Sequence, residues 1–400
     1  MPEVVDTLDL GDGYRLSITG EGTTLSALPM VRDGVGWHRA EPGDGTAEAV
    51  LDLLAGQPGS QTRGNFTVRS WSAQRAVSER AMGVDQTNES VIVGDKAVVK
   101  WATHLQEGPH PAPVRVAALR DAGFTGMPAP WGLVTWHPSG RAETLAVSVD
   151  EYLPGAVDGW TWAVELVTSA ASCGAIEPIT TAAADVGALI AQLHAALAPT
   201  ESVASADDAR RWHRDALDLL ERACALSEST SGQVLQAHRH EVLAELDCLQ
   251  GMSGVSAIEG HGDLHVGQVL LSGGRFVVTD FDGNPVLPAS QRGLPIPTVV
   301  DVAGMAQSLA HVAIVAAKYT VLEPSALAAV DAAARDSFLD AYVHQLDTLG
   351  HARLYDPRPL RALRLQQVMR EMVYAAEHLP RWMYVPDAAL PALFEEGTDR

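Results

Sequence analysis

His261-Gly262-Asp263-Leu264-His265-Val266-Gly267-Gln268, followed twelve residues after its glutamine by Asp280-Phe281-Asp282-Gly283, is the stretch on which this 400-residue chain turns. Between the two ends lie short apolar runs rich in β-branched residues, Val269 to Ser272 and Phe276 to Thr279, around Gly273-Gly274. Glycine at both central positions suits a tight primed turn. Pairing Ser272 with Arg275 sets Gln268 opposite Thr279 and Gly267 opposite Asp280. Gln268 and Asp280 then lie about one residue apart along the ladder, ~3.3 Å of rise plus one strand spacing. Asp263 sits on the loop that feeds the hairpin. Two hard oxygen ligands with a further carboxylate beside them describe a Mg²⁺ site with a potential base next to it.

The chain is long enough for a large core and for two or three domains. Its 46% hydrophobic content is that of an ordinary globular protein. A formal net charge of −22 argues against nucleic acid or an anionic membrane as a partner. A polyphosphate must therefore be bound locally, through Mg²⁺, a lysine and backbone amides. Cys173, Cys224 and Cys248 are scattered and odd in number, which fits free thiols in a reducing cytosol. The acidic start MPEVVDTLDL lacks the form of a signal peptide. The most apolar window, Val299 to Ala317, contains Asp301, Gln307 and His311 and reads as a buried helix. A soluble, cytoplasmic and monomeric protein is expected.

Residues 1–82 alternate short apolar runs with turn signals and read as a β-rich cap with one helix at Ala47 to Ala55. Residues 83–153 complete an N-terminal β part. There a polar loop, Gly83 to Ser90, precedes a hairpin turned at Gly94-Asp95, and pairing Val93 with Lys96 places Lys100 opposite Glu89. Amides and hydroxyls of such a loop, with one ammonium, can neutralise a triphosphate. An exposed strand lysine is the plain alternative. Val114 to Ala122 reads as a helix and Leu145 to Leu153 as a strand entering a linker. From 154 to 400 the chain is mainly helical, with helical periodicity over Ala182–Leu197, Ala206–Leu226, Gln233–Leu249, Val299–Tyr319, Pro324–Leu349 and Pro359–His378.

A strand lysine, a strand-to-linker crossover, HGDLHxGQ and DFDG, in that order on a β part and then an α part, resemble the aminoglycoside phosphotransferase branch of the protein-kinase-like superfamily. HGDLHVGQVL, with Gln268 at a point where asparagine is usual, is similar to the actinobacterial maltokinase group. So are Asp85 to Lys96, Asp158-Gly159-Trp160, Asp301 to Met305 and Pro380-Arg381-Trp382. The resemblance implies an α+β, protein-kinase-like bilobal fold with an N-terminal cap. It implies ATP and Mg²⁺ as cofactors and Asp263 as the base acting on a sugar hydroxyl. Gln268 and Asp280 would hold the metal, and Lys100 the phosphates. Thr87 and Ser90 would line the loop above them, and the backbone of Glu151 to Leu153 would meet adenine. His261 would shape the loop by hydrogen bonds and not bind zinc. Asp282 is left open among metal ligand, substrate contact and turn former. Asp301 is read as a helix cap or anchor.

One departure stands out. Kinases pair the strand lysine with a helix glutamate, yet the corresponding stretch here, His110-Pro-Ala-Pro-Val-Arg115, has no carboxylate. Either Glu107 or Glu89 substitutes, or Lys100 is held otherwise. This sets the chain in a sister group of the maltokinases. Glu371 and Trp382 are the first sugar-contact candidates, with a surface ion pair and core packing as their plain alternatives. A related group phosphorylates glucosamine at the 6-hydroxyl, and a cationic amino sugar suits Asp263, Glu371 and Asp282. Glucosamine phosphorylation is the expected reaction. Maltose 1-phosphorylation, aminoglycoside modification and a nucleotide-binding pseudokinase are the alternatives.

Overall fold

The computed structural model describes residues 3–21, 24–56, 58–83, 89–106 and 108–396. Thr87 and Glu107, named above, lie outside the described residues. The chain forms two compact units. One comprises 1–121, 127–156 and 281–294; the other comprises 122–126, 157–280 and 295–400.

In the first unit, β1 (Glu3–Gly11), β2 (Tyr14–Glu21), β3 (Thr24–Arg32) and β4 (Trp37–Arg39) form an antiparallel meander in chain order. Helix α1 (Thr46–Gly56) follows, and its Val50, Leu51 and Leu54 share an apolar cluster with Leu16, Ile18, Phe66 and Trp131. A second sheet is built from β5 (Gly59–Arg63), β6 (Phe66–Ser70), β7 (Glu79–Ala81), β8 (Glu89–Val93), β9 (Ala97–Trp101), β10 (Pro130–Trp136) and β11 (Thr144–Glu151). Their order across the sheet is β5-β6-β10-β11-β9-β8-β7. Residues 1–82 thus supply the whole first sheet and three strands of the second. Helix α2 (Ala112–Asp121) lies between β9 and β10 in the chain.

The β8–β9 hairpin differs from expectation by one residue. Val93 pairs with Ala97, so Lys100 faces Ser90 and not Glu89. Gly94 and Asp95 take the expected left-handed turn, at φ 57° and 49°. Lys96 is then left over as an extra residue, its carbonyl accepting from Tyr152 N–H at 2.8 Å. The turn thus takes in one residue more than two, and Tyr152, just past the end of β11, supplies the donor for that residue's carbonyl.

The second unit is helical: α3 (Gly159–Cys173), α4 (Glu177–Leu197), α5 (Ala206–Cys224), α6 (Thr230–Ala237) and α7 (Arg239–Leu246) precede the hairpin β14–β15 (Val269–Ser272, Arg275–Val278). Before the hairpin, β12 (Ser202–Val203) and β13 (Ser256–Ala257) make a small ladder. A four-residue α8 (Ala289–Arg292) belongs to the first unit; then come α9 (Thr298–Tyr319), α10 (Pro324–Thr348), α11 (Leu360–His378) and α12 (Tyr384–Glu395). Helix starts follow local chemistry. Asp158 caps α3 by accepting from Thr161 N–H, and Ser205 with Asp208 forms a capping box on α5. The single helix expected over Gln233–Leu249 is broken at His238 into α6 and α7. Residues Pro380–Trp382 form a short 3-10 turn that leads into α12 at Tyr384. The window Val299 to Ala317 is the buried helix that was expected.

Helices α4 and α10 approach closely at Gly187, where a β-carbon would lie 2.3 Å from the Phe338 carbonyl oxygen. Alanine normally stabilises a helix interior relative to glycine by about 1 kcal/mol. Here Gly187→Ala has the opposite sign, costing about 1–3 kcal/mol as the helices are pushed apart. Thermal unfolding checks it: the melting temperature falls, whereas a rise would contradict the close crossing.

Candidate active site

The hairpin forms in the expected register, Ser272 with Arg275 out to Val269 with Val278. Thr279 N–H donates to the Gln268 carbonyl at 2.9 Å, extending the ladder by one step. At its open end Gln268 Nε2 lies 3.4 Å from Asp280 Oδ2. Asp280 holds a left-handed backbone at φ 66°, a conformation that costs a non-glycine residue about 1–3 kcal/mol unless its surroundings fix it.

The loop before the hairpin is braced from α9. Asp301, in the first turn of that helix, accepts from His261 N–H at 2.7 Å and from Gly262 N–H at 2.8 Å. His194 Nε2 lies 3.2 Å from the same carboxylate, with its Nδ1 2.8 Å from the Tyr342 hydroxyl. Burial alone would raise the pKa of Asp301, but hydrogen bonding and charge from His194, the nearby His261 and Gly262 N–H hold it below the ordinary value. Asp301 is therefore a loop anchor more than a helix cap. Three residues on, a β-carbon at Gly304 would sit 2.4 Å from the Leu264 carbonyl, so the loop lies directly on the helix backbone. Ser308 Oγ accepts from Val266 N–H at 2.9 Å. Residues 301, 304, 308 and 311 lie on one helical face, and that face is the floor of the site.

On this floor His261 is fully buried, its Nε2 3.0 Å from the Thr279 carbonyl and its Nδ1 accepting from Asp263 N–H at 3.3 Å. The ring fixes loop to hairpin, as expected of it. His265 Nδ1 accepts from Gly267 N–H at 3.1 Å. Among the described residues no cluster of three or more histidine, cysteine or acidic side chains is set to hold a metal ion. Asp263 is half-buried, and burial pushes its carboxyl above the ordinary range against the opposing pull of His265, Arg370 and His261; Asp280 adds to the rise.

Arg370, on α11, was passed over in the sequence beside its neighbour Glu371. Its Nε has no hydrogen-bond partner among the described residues, and its charge acts on Asp263. Glu371 Oε1 accepts from Gln367 Nε2 at 3.0 Å and Oε2 from Trp382 Nε1 at 3.3 Å; His311 Nδ1 stands 3.2 Å from Oε2. Against the cost of burial, the interaction with His311 and the hydrogen bonds from Gln367 and Trp382 lower its pKa to about 2. Trp382 is edge-on to Trp160, with ring centroids 5.2 Å apart, and Trp160 Nε1 lies close beside Gly267. One neighbourhood of the second unit thus holds Asp263, Gln268, Asp280, Glu371 and Trp382, together with Arg370 and Trp160. Glu371 is a half-buried carboxylate held by hydrogen bonds from Gln367 and Trp382 and facing His311, not an isolated surface ion pair.

The remaining candidates lie in the first unit. Lys100 on β9 is flanked in register by Ser90 on β8 and Ser148 on β11. Glu89 is bonded by Arg39. Among the described residues, an acid not singled out in the sequence is Asp150, opposite Val98 and so on the same sheet face as Ser148. Burial raises its pKa and the Lys100 charge pulls it down. In the linker, Glu151 N–H donates to the Ala129 carbonyl and Tyr152 N–H to that of Lys96. Leu153 N–H bonds to no other backbone group among the described residues. Where a kinase helix carries its glutamate, α2 carries the buried Arg115, which donates to the Phe281 carbonyl at 3.1 Å and to that of Arg292 at 2.8 Å. Asp282 stands 4.0 Å from His110 Nε2.

This fold, with its acid loop and its amide–carboxylate hairpin end, defines an ATP-dependent phosphotransferase of the protein-kinase-like class. Comparison with known proteins narrows the class. The chain is 62% identical over 396 residues to a glucosamine kinase of Mycolicibacterium smegmatis, covering 98% of this chain and 99% of that one. It is 43% identical over 401 residues to a glucosamine kinase of Streptacidiphilus jiangxiensis, covering 97% and 90%. A solved glucosamine kinase in complex with glucosamine, ADP and inorganic phosphate superposes with a TM-score of 0.87 at 41% identity, covering 98% of this chain and 93% of that one. No protein-family model matches. The chain belongs to the glucosamine kinase family.

Asp301→Asn replaces one of two acceptor oxygens with a donor facing a backbone N–H. Loosening the loop in this way lowers kcat about 10²-fold, while ADP affinity, measured calorimetrically, changes little. Turnover near wild type would show that the loop holds its shape without the anchor.

Proposed function

We propose that this chain transfers the γ-phosphoryl group of ATP to the 6-hydroxyl of glucosamine. The observation that carries the acceptor is Glu371, a half-buried carboxylate that accepts hydrogen bonds from Gln367 and Trp382 beside the Asp263 loop and is held ionised. A protonated amino group gains a charge-assisted hydrogen bond there that a neutral sugar does not. Full-length identity to glucosamine kinases supports the same reading.

The chemistry follows from the residues. Asp263 accepts the hydroxyl proton as that oxygen attacks the γ-phosphorus and the bond to the bridging oxygen of ADP breaks. Its burial-raised pKa makes it a stronger base than a surface aspartate. Arg370 beside it offsets the charge of the ionised form. Trp382 offers an apolar wall to a pyranose ring. Lys100 draws the phosphates, with Ser90 on the neighbouring strand, and the open Leu153 N–H, with the Glu151 backbone nearby, receives adenine. Gln268 and Asp280 suit Mg²⁺, which keeps most of its ligands as water and phosphate oxygens and needs few from protein. That ion would neutralise charge on the β- and γ-phosphates. A cytoplasmic setting, where ATP is held, accords with free Cys173, Cys224 and Cys248.

An acceptor panel read by ADP release tests this: turnover is highest with glucosamine and low with maltose, glucose and kanamycin-type aminoglycosides. In Glu371→Ala the KM for glucosamine rises by about tenfold, the loss of a hydrogen bond to a charged group. Preference for maltose or an aminoglycoside, or no turnover at all, would overturn the assignment.

The two carboxyls also predict a pH dependence. Asp263 must be ionised to accept the proton, so kcat falls on the acid side with a limb above the ordinary aspartate value of 3.8. Glu371 has its folded value lowered from 4.5 to about 2. Its stabilising contribution is complete above the unfolded value and is lost as pH falls from there through the folded one. Kinetic and unfolding titrations separate the two: activity fails before Glu371 titrates.

A further inference from the structure

Behind Glu371 a chain of buried side chains fixes the position of one proton. Arg364 on α11 has only donors, so the Gln307 atom 3.0 Å from its Nε must be the amide oxygen. The other end of that amide, Nε2, is a donor and lies 3.0 Å from His311 Nε2. That ring nitrogen must accept, which puts the proton of the neutral imidazole on Nδ1. Nδ1 is buried and faces Glu371 Oε2 at 3.2 Å, close but without full hydrogen-bond alignment. Arg364, Gln307 and His311 are all buried.

The amide cannot turn over easily, because Arg364 is itself clamped. Its Nη1 and Nη2 donate to the two carboxylate oxygens of Glu396 at 2.7 and 3.2 Å. Arg335 contacts the same carboxylate at 3.1 and 3.2 Å, and pairs through two bonds with Asp331 at 2.9 and 3.0 Å. A flipped Gln307 would set its NH₂ against the Arg364 N–H. A doubly protonated His311 would set its Nε2–H against the Gln307 NH₂. Both leave a buried donor without an acceptor.

We propose that the Arg364–Gln307 relay holds His311 as the neutral Nδ1–H tautomer, so that Glu371 meets the ammonium of an amino sugar with its full negative charge. An imidazolium at His311 would neutralise Glu371 internally and leave little to distinguish an amino sugar from its hydroxyl analogue. Gln307 and His311 are then positioning residues that set acceptor specificity. This rests on the reading of Glu371 as the residue that binds the amino group.

The first test is nitrogen-15 NMR of His311 in the full chain near neutral pH, with the neutral Nδ1–H form expected. An imidazolium or the Nε2–H tautomer would overturn the proposal. The second is kinetic. Gln307→Glu supplies an acceptor to Nε2 and draws a second proton onto the ring. The KM for glucosamine then rises about tenfold, with kcat within about twofold and the KM for glucose little changed. Gln307→Leu removes the amide that fixes the tautomer without adding an acceptor, so the KM for glucosamine rises severalfold while that for glucose stays little changed. Equal KM rises for both sugars in both variants would mean packing alone and would overturn the specificity role. Should Gln307→Glu fail to fold, the wild-type tautomer and Gln307→Leu still decide. An unchanged glucosamine KM in Glu371→Ala, with the Nδ1–H tautomer intact, would overturn the Glu371 reading and its specificity role while leaving the tautomer standing.

Discussion

The Asp301 carboxylate is the contact on which the rest of the site depends. Two backbone N–H groups of the Asp263 loop have no partner within regular secondary structure, and a buried donor left unmade costs about 1–3 kcal/mol. One carboxylate takes both, at 2.7 and 2.8 Å. Because Asp301 stands on α9, the loop inherits the helix's position. Gly304 and Ser308 continue the contact along the same face, and His311, one turn further, carries it to Glu371. A single helix face thus spaces the residue proposed as base from the residue proposed to bind the amino group. That spacing is rigid because α9 is buried along most of its length.

A protein of formal charge −22 must bind an anionic nucleotide and, on the reading here, a cationic sugar. The global field opposes the first and favours the second. Local chemistry resolves the conflict. In the first unit Lys100 lies between two serines in register, and the Leu153 N–H in the linker has no backbone partner among the described residues. In the second unit acidic side chains dominate, with Arg370 beside Asp263 as the counterweight. The missing helix glutamate changes how the first unit is held. Arg115 replaces it and grips carbonyls of the segment after the hairpin, while Asp150 is the acid whose charge couples to Lys100.

The parts legible in the sequence were those that local chemistry determines. Gly273-Gly274 fixed a two-residue loop, so the hairpin register and the approach of Gln268 to Asp280 followed. The same logic slipped by one residue at Gly94-Asp95, where Lys96 joins the turn and its carbonyl answers to Tyr152 in the distant linker after β11. The break at His238 was hidden within a continuous helical pattern. Asp301, in a first helical turn, reads locally as a cap or anchor of its own helix. Its true partners lie 39 and 40 residues away, beyond any local pattern. Glu371 and Trp382 were found by resemblance, and the His311–Gln307–Arg364 chain that orients Glu371 had no signal beyond polar residues on apolar helices.

Phosphoryl transfer to the 6-hydroxyl of glucosamine is read directly by proton–phosphorus correlation NMR on the isolated product. The new phosphorus should couple to the two protons of the C6 methylene. Coupling to the anomeric proton, or an unmodified sugar with ATP consumed, would contradict it.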